Sequence, residues 1–247
     1  MKSQLDTEIA VLGCGPAGIA TALGLAKMGY KVCVIANVRS HNVTEGVSER
    51  VYQALSHLGL THTLKEISSP IPRSVSWNGV HSAANTERLI RRLSFDTALL
   101  KDLADAKIPF YNETIINVEE RETSCHILCK SGKNFRIDFV VEARGRAAPL
   151  TKKSHIRGVD SLSICQNWKT SNTQLMSPEA IAISIESGWL WFANNGKGNI
   201  FTQVSVSAKS KTGSAKEKLS TFINKLVLSR PELGHITPYI EPEGKVL

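Results

Sequence analysis

No apolar run in this chain reaches the ~18 residues that a membrane-crossing helix needs, so no membrane span is expected. A secretory signal is not expected either, because Met1–Asp6 is polar and an apolar strand pattern follows at once. The five cysteines are odd in number, and Cys14 and Cys33 fall in the first apolar segments, which excludes a disulfide framework. Cys125-His126-x-x-Cys129 lies in a strand-like segment with no second ligand pair at finger spacing, so no metal is assigned. The expectation is a reduced, cytoplasmic protein. Lys and Arg outnumber Asp and Glu by 30 to 22, but the longest basic runs are pairs such as Arg91-Arg92 and Lys152-Lys153. Without a basic stripe and interleaved aromatics, nucleic acid is excluded as a partner. The net charge of +8 reads as a solvated basic surface or a preference for anionic ligands. No Ser-His-Asp or Cys-His arrangement has a local signature.

What is present is Val11-Leu12-Gly13-Cys14-Gly15-Pro16-Ala17-Gly18. The glycines have the G-x-G-x-x-G spacing of a dinucleotide-binding loop. Gly13 allows a sharp turn off a strand, Gly15 lets a pyrophosphate approach the backbone, and Gly18 allows close packing of the following helix. Pro16 suits the first helical turn, where its missing N–H costs little. The context agrees: Thr7–Leu12 reads as a buried strand, Ile19–Met28 as an apolar helix, Gly29 as its cap, and Lys31–Ile35 as a second buried strand. At the end of that second strand a carboxylate is expected for the adenosine ribose. The chain instead reads Ala36-Asn37-Val38-Arg39, with no carboxylate between Glu8 and Glu45. Either Arg39 takes the 2′-phosphate of NADP, or the ligand is FAD with its ribose held by Asn37, Arg39 or backbone groups.

Further along, Ser48 to Gly59 predicts a short amphipathic helix. Pro70-Ile71-Pro72 breaks the chain. Arg73–Val80 predicts a strand with an Asn78-Gly79 turn. Glu87–Lys107 predicts a helix with an apolar face of Leu89, Leu93, Leu99, Leu100 and Leu103, starting as late as Ser94 to Asp96. Ile108–Tyr111 predicts a third parallel strand. Thr114–Glu120, Cys125–Lys130 and Phe135–Asp138 form an expected meander. Asp138–Glu142 predicts a strand returning to the first sheet and ending in Glu142-Ala143-Arg144-Gly145. Beyond Lys152 the pattern becomes antiparallel, with strands at Ser161–Lys169, Ala180–Glu186, Trp189–Ala193 and Ile200–Ala208. A last helix covers Ser214–Ser229, and His235–Leu247 holds no element long enough to close the sheet. Trp189 and Trp191 alternate with Leu190 and Phe192, so one pair is expected to face the core.

Three features in this order resemble the FAD-dependent flavoprotein monooxygenases of the aromatic-hydroxylase and tryptophan-halogenase group. They are the glycine loop, a helix carrying Arg92-x-x-Phe95-Asp96-x-x-Leu99, and Val140-Val141-Glu142-Ala143-Arg144-Gly145-Arg146. Glu45-Gly46-x-Ser48-Glu49-Arg50, Ser76-Trp77-Asn78-Gly79 and the Glu142–Pro149 segment are similar to a narrower subgroup. Its members oxidise a tryptophan of a partner protein during quinone-cofactor biogenesis. The resemblance spans nearly the whole chain. It implies an α/β fold, α+β overall. A Rossmann-like FAD-binding domain would cover 1–150, with a β insertion near 70–85 on the substrate side, and an incomplete antiparallel substrate domain would cover 151–247.

The same resemblance implies FAD held by Gly13, Gly15, Pro16, Ala17 and Gly18. Asn37 and Arg39 would lie near the adenosine, Arg50 and Arg92 near the phosphates or ribityl chain, and Glu142 in the second flavin turn. It implies an aromatic small molecule or a tryptophan-bearing protein as substrate, and NAD(P)H or a reductase as electron donor. The group's third motif, Gly-Asp before a helix, is missing after Ser229, so a C-terminally truncated chain is expected. That absence keeps a second reading open, a catalytically impaired form acting as a binding module. A third reading is an NADP-dependent reductase using Arg39. It lacks the Tyr-x-x-x-Lys pair, since Tyr30, Tyr52, Tyr111 and Tyr239 have no Lys four residues on. A flavin reductase of isoprenoid lipids is a near relative of the first reading. No catalytic residue is assigned, and hydroxylation is not separated from halogenation.

Overall fold

The structure is a computed structural model that describes residues 7–38, 42–150, 156, 158–170, 172, 177–208 and 216–247. In chain order, β1 (Ile9–Leu12), α1 (Pro16–Lys27) and β2 (Val32–Ala36) form the opening unit. They are followed by β3 (Thr44–Val47), α2 (Glu49–Leu58), α3 (Thr61–Lys65), β4 (Ile71–Trp77), β5 (Val80–Arg91) and α4 (Arg92–Asp105). Next come β6 (Phe110–Asn112), β7 (Ile115–Glu120), β8 (Cys125–Cys129), β9 (Asn134–Ile137) and β10 (Phe139–Glu142). The rest is β11 (Ser161–Lys169), β12 (Glu179–Ile185), β13 (Gly188–Asn194), β14 (Asn199–Ser207), α5 (Lys216–Leu228) and β15 (Glu241–Glu243). Two compact units result: Met1–Glu45, Arg50–Ser68 and Ile90–Ile156 make one, and Gly46–Glu49, Ser69–Leu89 and Arg157–Leu247 the other.

The first unit is built on a parallel sheet of order β10-β1-β2-β6. Leu12 is in register with Ile35 on one side and Glu142 on the other. β1 and β2 are buried along their whole length, as strands covered on both faces must be. α1 buries Gly18, Ile19, Ala22 and Leu23. The helix ends where Gly29 takes a positive φ of 94°. There the Gly29 amide bonds the Ala26 carbonyl and the Tyr30 amide bonds that of Leu25, a Schellman closure. The β7-β8-β9 meander contributes Ile127, Cys129, Phe135 and Ile137 to a core shared with Ala10, Leu12, Cys33 and Ile35. No disulfide joins any of the five cysteines. Cys33 acts as a small apolar residue, its thiol pushed up to about 12 by burial.

The second unit is an eight-stranded sheet of order β15-β11-β14-β13-β12-β4-β5-β3. It is mixed rather than wholly antiparallel, because β4 pairs β12 in parallel. The Asn78-Gly79 turn has both φ values positive, 50° and 79°, as a two-residue hairpin loop requires. One face of the sheet packs Ile164, Trp168, Leu190, Phe192 and Val204 against Ile223 and Val227 of α5. The other face carries Trp191, Ile71, Leu89, Ala180 and Ala193, with Trp189 and Phe201 beside them. Both halves of the Trp-Leu-Trp-Phe alternation therefore meet apolar neighbours.

The fold class read from the motifs is borne out. Several elements differ. Glu87–Arg91 belongs to strand β5, and the helix starts at Arg92. Pairing of Glu87 with Ile71 and of Ile90 with Ile67 overrides the helical spacing of the leucines. Leu93 is exposed, while Leu99 and Leu103 are buried. The short elements β3 and α3 gave no periodic signal. At the C-terminal end, Glu241–Glu243 does add a strand, pairing with β11 at the sheet edge. An edge is where Pro242 is tolerated.

α3 has no side-chain cap of its own. Asp102, buried on α4, supplies it, accepting from the amides of His62 and Thr63 at 2.9 and 2.8 Å and from the Thr63 hydroxyl at 2.6 Å. Asp102→Ala strands two amides and a hydroxyl at a site where Thr63 is 0% exposed. The expected loss is about 2–4 kcal/mol, read from urea unfolding against the parent chain.

Candidate functional site

The glycine loop owes its shape to three different constraints. Gly13 has a φ of 126°, and a Cβ there would collide with the Ala143 carbonyl of the β10 turn. The Ala143 amide bonds the Leu12 carbonyl at 2.8 Å, and the Gly13 amide bonds that of Ile35 at 3.1 Å. The end of β1 is thus pinned from both neighbours. A Cβ at Gly18 would strike the Gly13 carbonyl, so the helix closes on the loop itself rather than only on the sheet. At Gly15 a Cβ would meet nothing within 4 Å. Gly15 caps α1 with extended backbone, and Pro16 follows in the first turn. The Ile19 amide bonds the Gly15 carbonyl, so helix geometry leaves the amides of Ala17 and Gly18 without acceptors inside the helix.

A cavity of about 610 Å³ opens beside this loop and the start of α1. Its wall holds Gly13, Cys14, Gly15, Pro16 and Ala17 from the loop, and Ala36, Asn37 and Val38 after β2. It also holds Arg92, Asp96 and Leu100 of α4, Glu113, Thr114 and Ile115 after β6, and Ala143, Arg144, Gly145 and Pro149 after β10. The volume lies in the range of small-molecule sites, roughly 300–1,000 Å³. A dinucleotide fits the chemistry of this wall: a bare approach at Gly15, a helix N-terminus for phosphate charge, and a polar rim for a ribose.

Of the residues expected from sequence, Gly13, Gly15, Pro16, Ala17, Asn37 and Arg92 line the cavity, and Gly18 shapes it from behind. The Asn37 side-chain amide donates to the Thr114 hydroxyl at 2.8 Å, and the Asn37 backbone carbonyl accepts from the Cys14 thiol. Arg92 is 8% exposed and fully engaged. It bonds Asp96 through Nε and Nη2, and both oxygens of Glu45 through Nη1, at 2.9–3.2 Å. Burial works against its charge, but these carboxylates outweigh burial and raise its pKa. It enters the wall already neutralised. Arg50 is exposed on α2 and is not in the wall. Glu142 is not in the wall either. Its carboxylate accepts from the Arg144 amide, Nε and Nη2 at 3.1, 2.9 and 2.6 Å. Burial pushes the Glu142 carboxyl up, but the bonds from Arg144 prevail and hold it below the ordinary range. Arg39 lies outside the described residues.

Sequence reasoning missed Arg144 as a cavity cation, and missed Glu113 and Thr114. Arg144 stood in a quoted motif without a role. Glu113 carried no signal, because only the pairing of β6 with β2 brings it there.

Residues 8–162 match the profile of the lycopene cyclase protein family. The chain belongs to that family. Among curated relatives it is 26% identical over 151 residues to neoxanthin synthase, chloroplastic, of Solanum lycopersicum, covering 60% of this chain and 29% of that protein. It is 23% identical over 233 residues to menaquinone reductase of Mycobacterium tuberculosis (strain CDC 1551 / Oshkosh), covering 81% and 55%. Among solved structures, it superposes on peptidyl tryptophan dihydroxylase QhpG, essential for tryptophylquinone cofactor biogenesis, with a TM-score of 0.76. That pair is 32% identical, over 96% of this chain and 55% of the other. The flavin-dependent halogenase CmlS gives a TM-score of 0.81 at 16% identity over 100% of this chain and 50% of the other. Halogenase PltM, solved with phloroglucinol and FAD, gives 0.72 at 15% identity over 98% and 59%. The chain thus spans about a third to just over half the length of these relatives. These neighbours are flavin-dependent enzymes, which bears out the resemblance read from the motifs. Among the described residues no helix is long and apolar enough to cross a membrane.

Two outcomes follow from the loop geometry. Gly15→Ala leaves stability within about 0.5 kcal/mol, since its Cβ meets open space. Gly18→Ala costs about 1–3 kcal/mol through overpacking on Gly13; thermal melts of the two variants separate the roles. Glu142 sets an acid limit. Its folded-state pKa lies below the unfolded one, so its contribution is complete above the ordinary carboxylate range and is lost as pH falls through the lowered value. Glu142→Gln should cost about 1–3 kcal/mol at neutral pH. It should also flatten the acid side of the stability profile, measured by urea unfolding across pH.

Proposed function

We propose that this chain binds FAD in the cavity before α1 and serves a flavin-dependent oxidation of an aromatic substrate, with a tryptophan side chain of a partner protein as the leading candidate. The observation that carries the reading is the 32% identity to the peptidyl tryptophan dihydroxylase across 96% of the chain. The amides of Ala17 and Gly18 would take the pyrophosphate, where the helix N-terminus favours negative charge. Gly15 would let it approach. Asn37 and Thr114 would face the adenosine end. Arg144, held by Glu142, and Arg92, held by Asp96 and Glu45, would present fixed donors rather than free cations. FAD, when bound, supplies the electron transfer and the reaction with oxygen.

For the substrate we assign the sheet face carrying Trp189, Trp191 and Phe201. There the Trp191 indole donates to Glu87 at 3.0 Å, and Arg73 Nε lies 3.8 Å from the same carboxylate. A broad apolar face with a few fixed polar groups suits an aromatic ring. NAD(P)H or a reductase would supply the electrons. The match to menaquinone reductase over 81% of the chain supports a second reading, reduction of a quinone-bearing lipid.

The test is direct. The purified chain should take up FAD and quench its fluorescence, and Gly15→Asp should abolish uptake by placing a charge against the pyrophosphate. With FAD and NADH, oxygen consumption stimulated by a tryptophan-containing peptide supports the first reading. Anaerobic turnover of a quinone supports the second. No uptake of FAD overturns both.

A further inference from the structure

We infer that Glu113 replaces the ribose-binding carboxylate that the chain lacks at the end of β2. The inference rests on the reading of the cavity as a dinucleotide site. In such sites an acid near the end of the second strand accepts from a ribose hydroxyl of the adenosine. Here Ala36 ends β2, and Asn37 and Val38 follow it along the cavity wall without a carboxylate. β6 runs parallel to β2, with Ala36 in register with Asn112. Glu113 is the next residue, and its amide bonds the Ala36 carbonyl at 3.3 Å. Glu113 thus lines the same stretch of wall from the neighbouring strand.

Among the described residues two acids line the cavity, Asp96 and Glu113. Both oxygens of Asp96 are taken by Arg92. Glu113 differs. Its Oε2 accepts from the Ser131 hydroxyl at 2.7 Å, which fixes the carboxylate, while Oε1 takes no hydrogen bond from any described residue. A half-buried carboxylate with one oxygen anchored and one open is what a vicinal diol needs as an acceptor. The same charge opposes a phosphate on the 2′ position, so Glu113 selects an unphosphorylated adenosine ribose. Ser131 is its positioning residue.

The test uses ADP, 2′-deoxy-ADP and 2′-phospho-ADP as probes of the adenosine half, with FAD alongside, titrated calorimetrically into the whole chain. The parent chain should bind ADP at least about tenfold more tightly than either analogue, the size of one charged hydrogen bond. In Glu113→Ala, ADP should weaken by about tenfold, and the gap between ADP and 2′-deoxy-ADP should close. Binding of 2′-phospho-ADP should hold or tighten. Glu113→Gln keeps the shape and guards against a folding defect; it should bind ADP between the two and lose its rejection of the 2′-phosphate. A merely structural residue would weaken all three probes alike. A gap that persists in Glu113→Ala overturns the inference, as does a parent chain that does not discriminate or does not bind ADP. FAD binding unchanged by Glu113→Ala sinks the inference and leaves the flavin reading standing. A Glu113-dependent preference for ADP in a chain that rejects FAD does the reverse.

Discussion

The close approach of Gly13 to Ala143 is the constraint on which the first unit turns. Two strands that are 130 residues apart in sequence must end with their backbones in contact, and only a residue without Cβ, at positive φ, permits it. That contact fixes where the chain leaves β1. The second close contact, Gly18 on the Gly13 carbonyl, then fixes where α1 begins. Together they aim the first-turn amides of α1 across the ends of β1, β2 and β10. The cavity is the space that these two steric demands leave open. Its glycine of contact, Gly15, is the one with no packing reason to be glycine.

The electrostatics of the site follow a related logic. The two cations in the described wall, Arg92 and Arg144, are each held by carboxylates, Asp96 and Glu45 for one and Glu142 for the other. A buried guanidinium without such partners would carry a severe desolvation cost. Once paired, it contributes directional N–H groups more than net charge. Attraction for phosphate then rests chiefly on the helix N-terminus, which is a fixed dipole needing no counter-ion. The overall charge of +8 adds a weak, screened background.

Much of this was legible in the residues. Gly13, Gly15 and Gly18 announced the βαβ unit because their roles are local: each answers to backbone geometry within a few residues. The Asn78-Gly79 hairpin was legible for the same reason. The leucines of Glu87–Lys107 satisfy a helical period, while the pairing of Glu87–Arg91 with distant segments decides the state of that first stretch. Glu142 and Arg92 stand out in the sequence as charged motif residues, and in the structure each is paired with an oppositely charged neighbour. A motif shows that a charged side chain is present but not whether another has claimed it.

The sequence by itself determined the dinucleotide loop, the βαβ opening, the order of parallel sheet, meander and largely antiparallel sheet, and the flavoprotein resemblance. These depend on short-range periodicity and on glycine's conformational freedom. Only the tertiary structure decided which charges stay available in the cavity, that Asp102 caps α3 from 39 and 40 residues away, and that Glu113 stands beside Ala36. Those outcomes depend on which strands become neighbours, and strand neighbourhood is set by the burial of whole faces rather than by any residue's immediate surroundings.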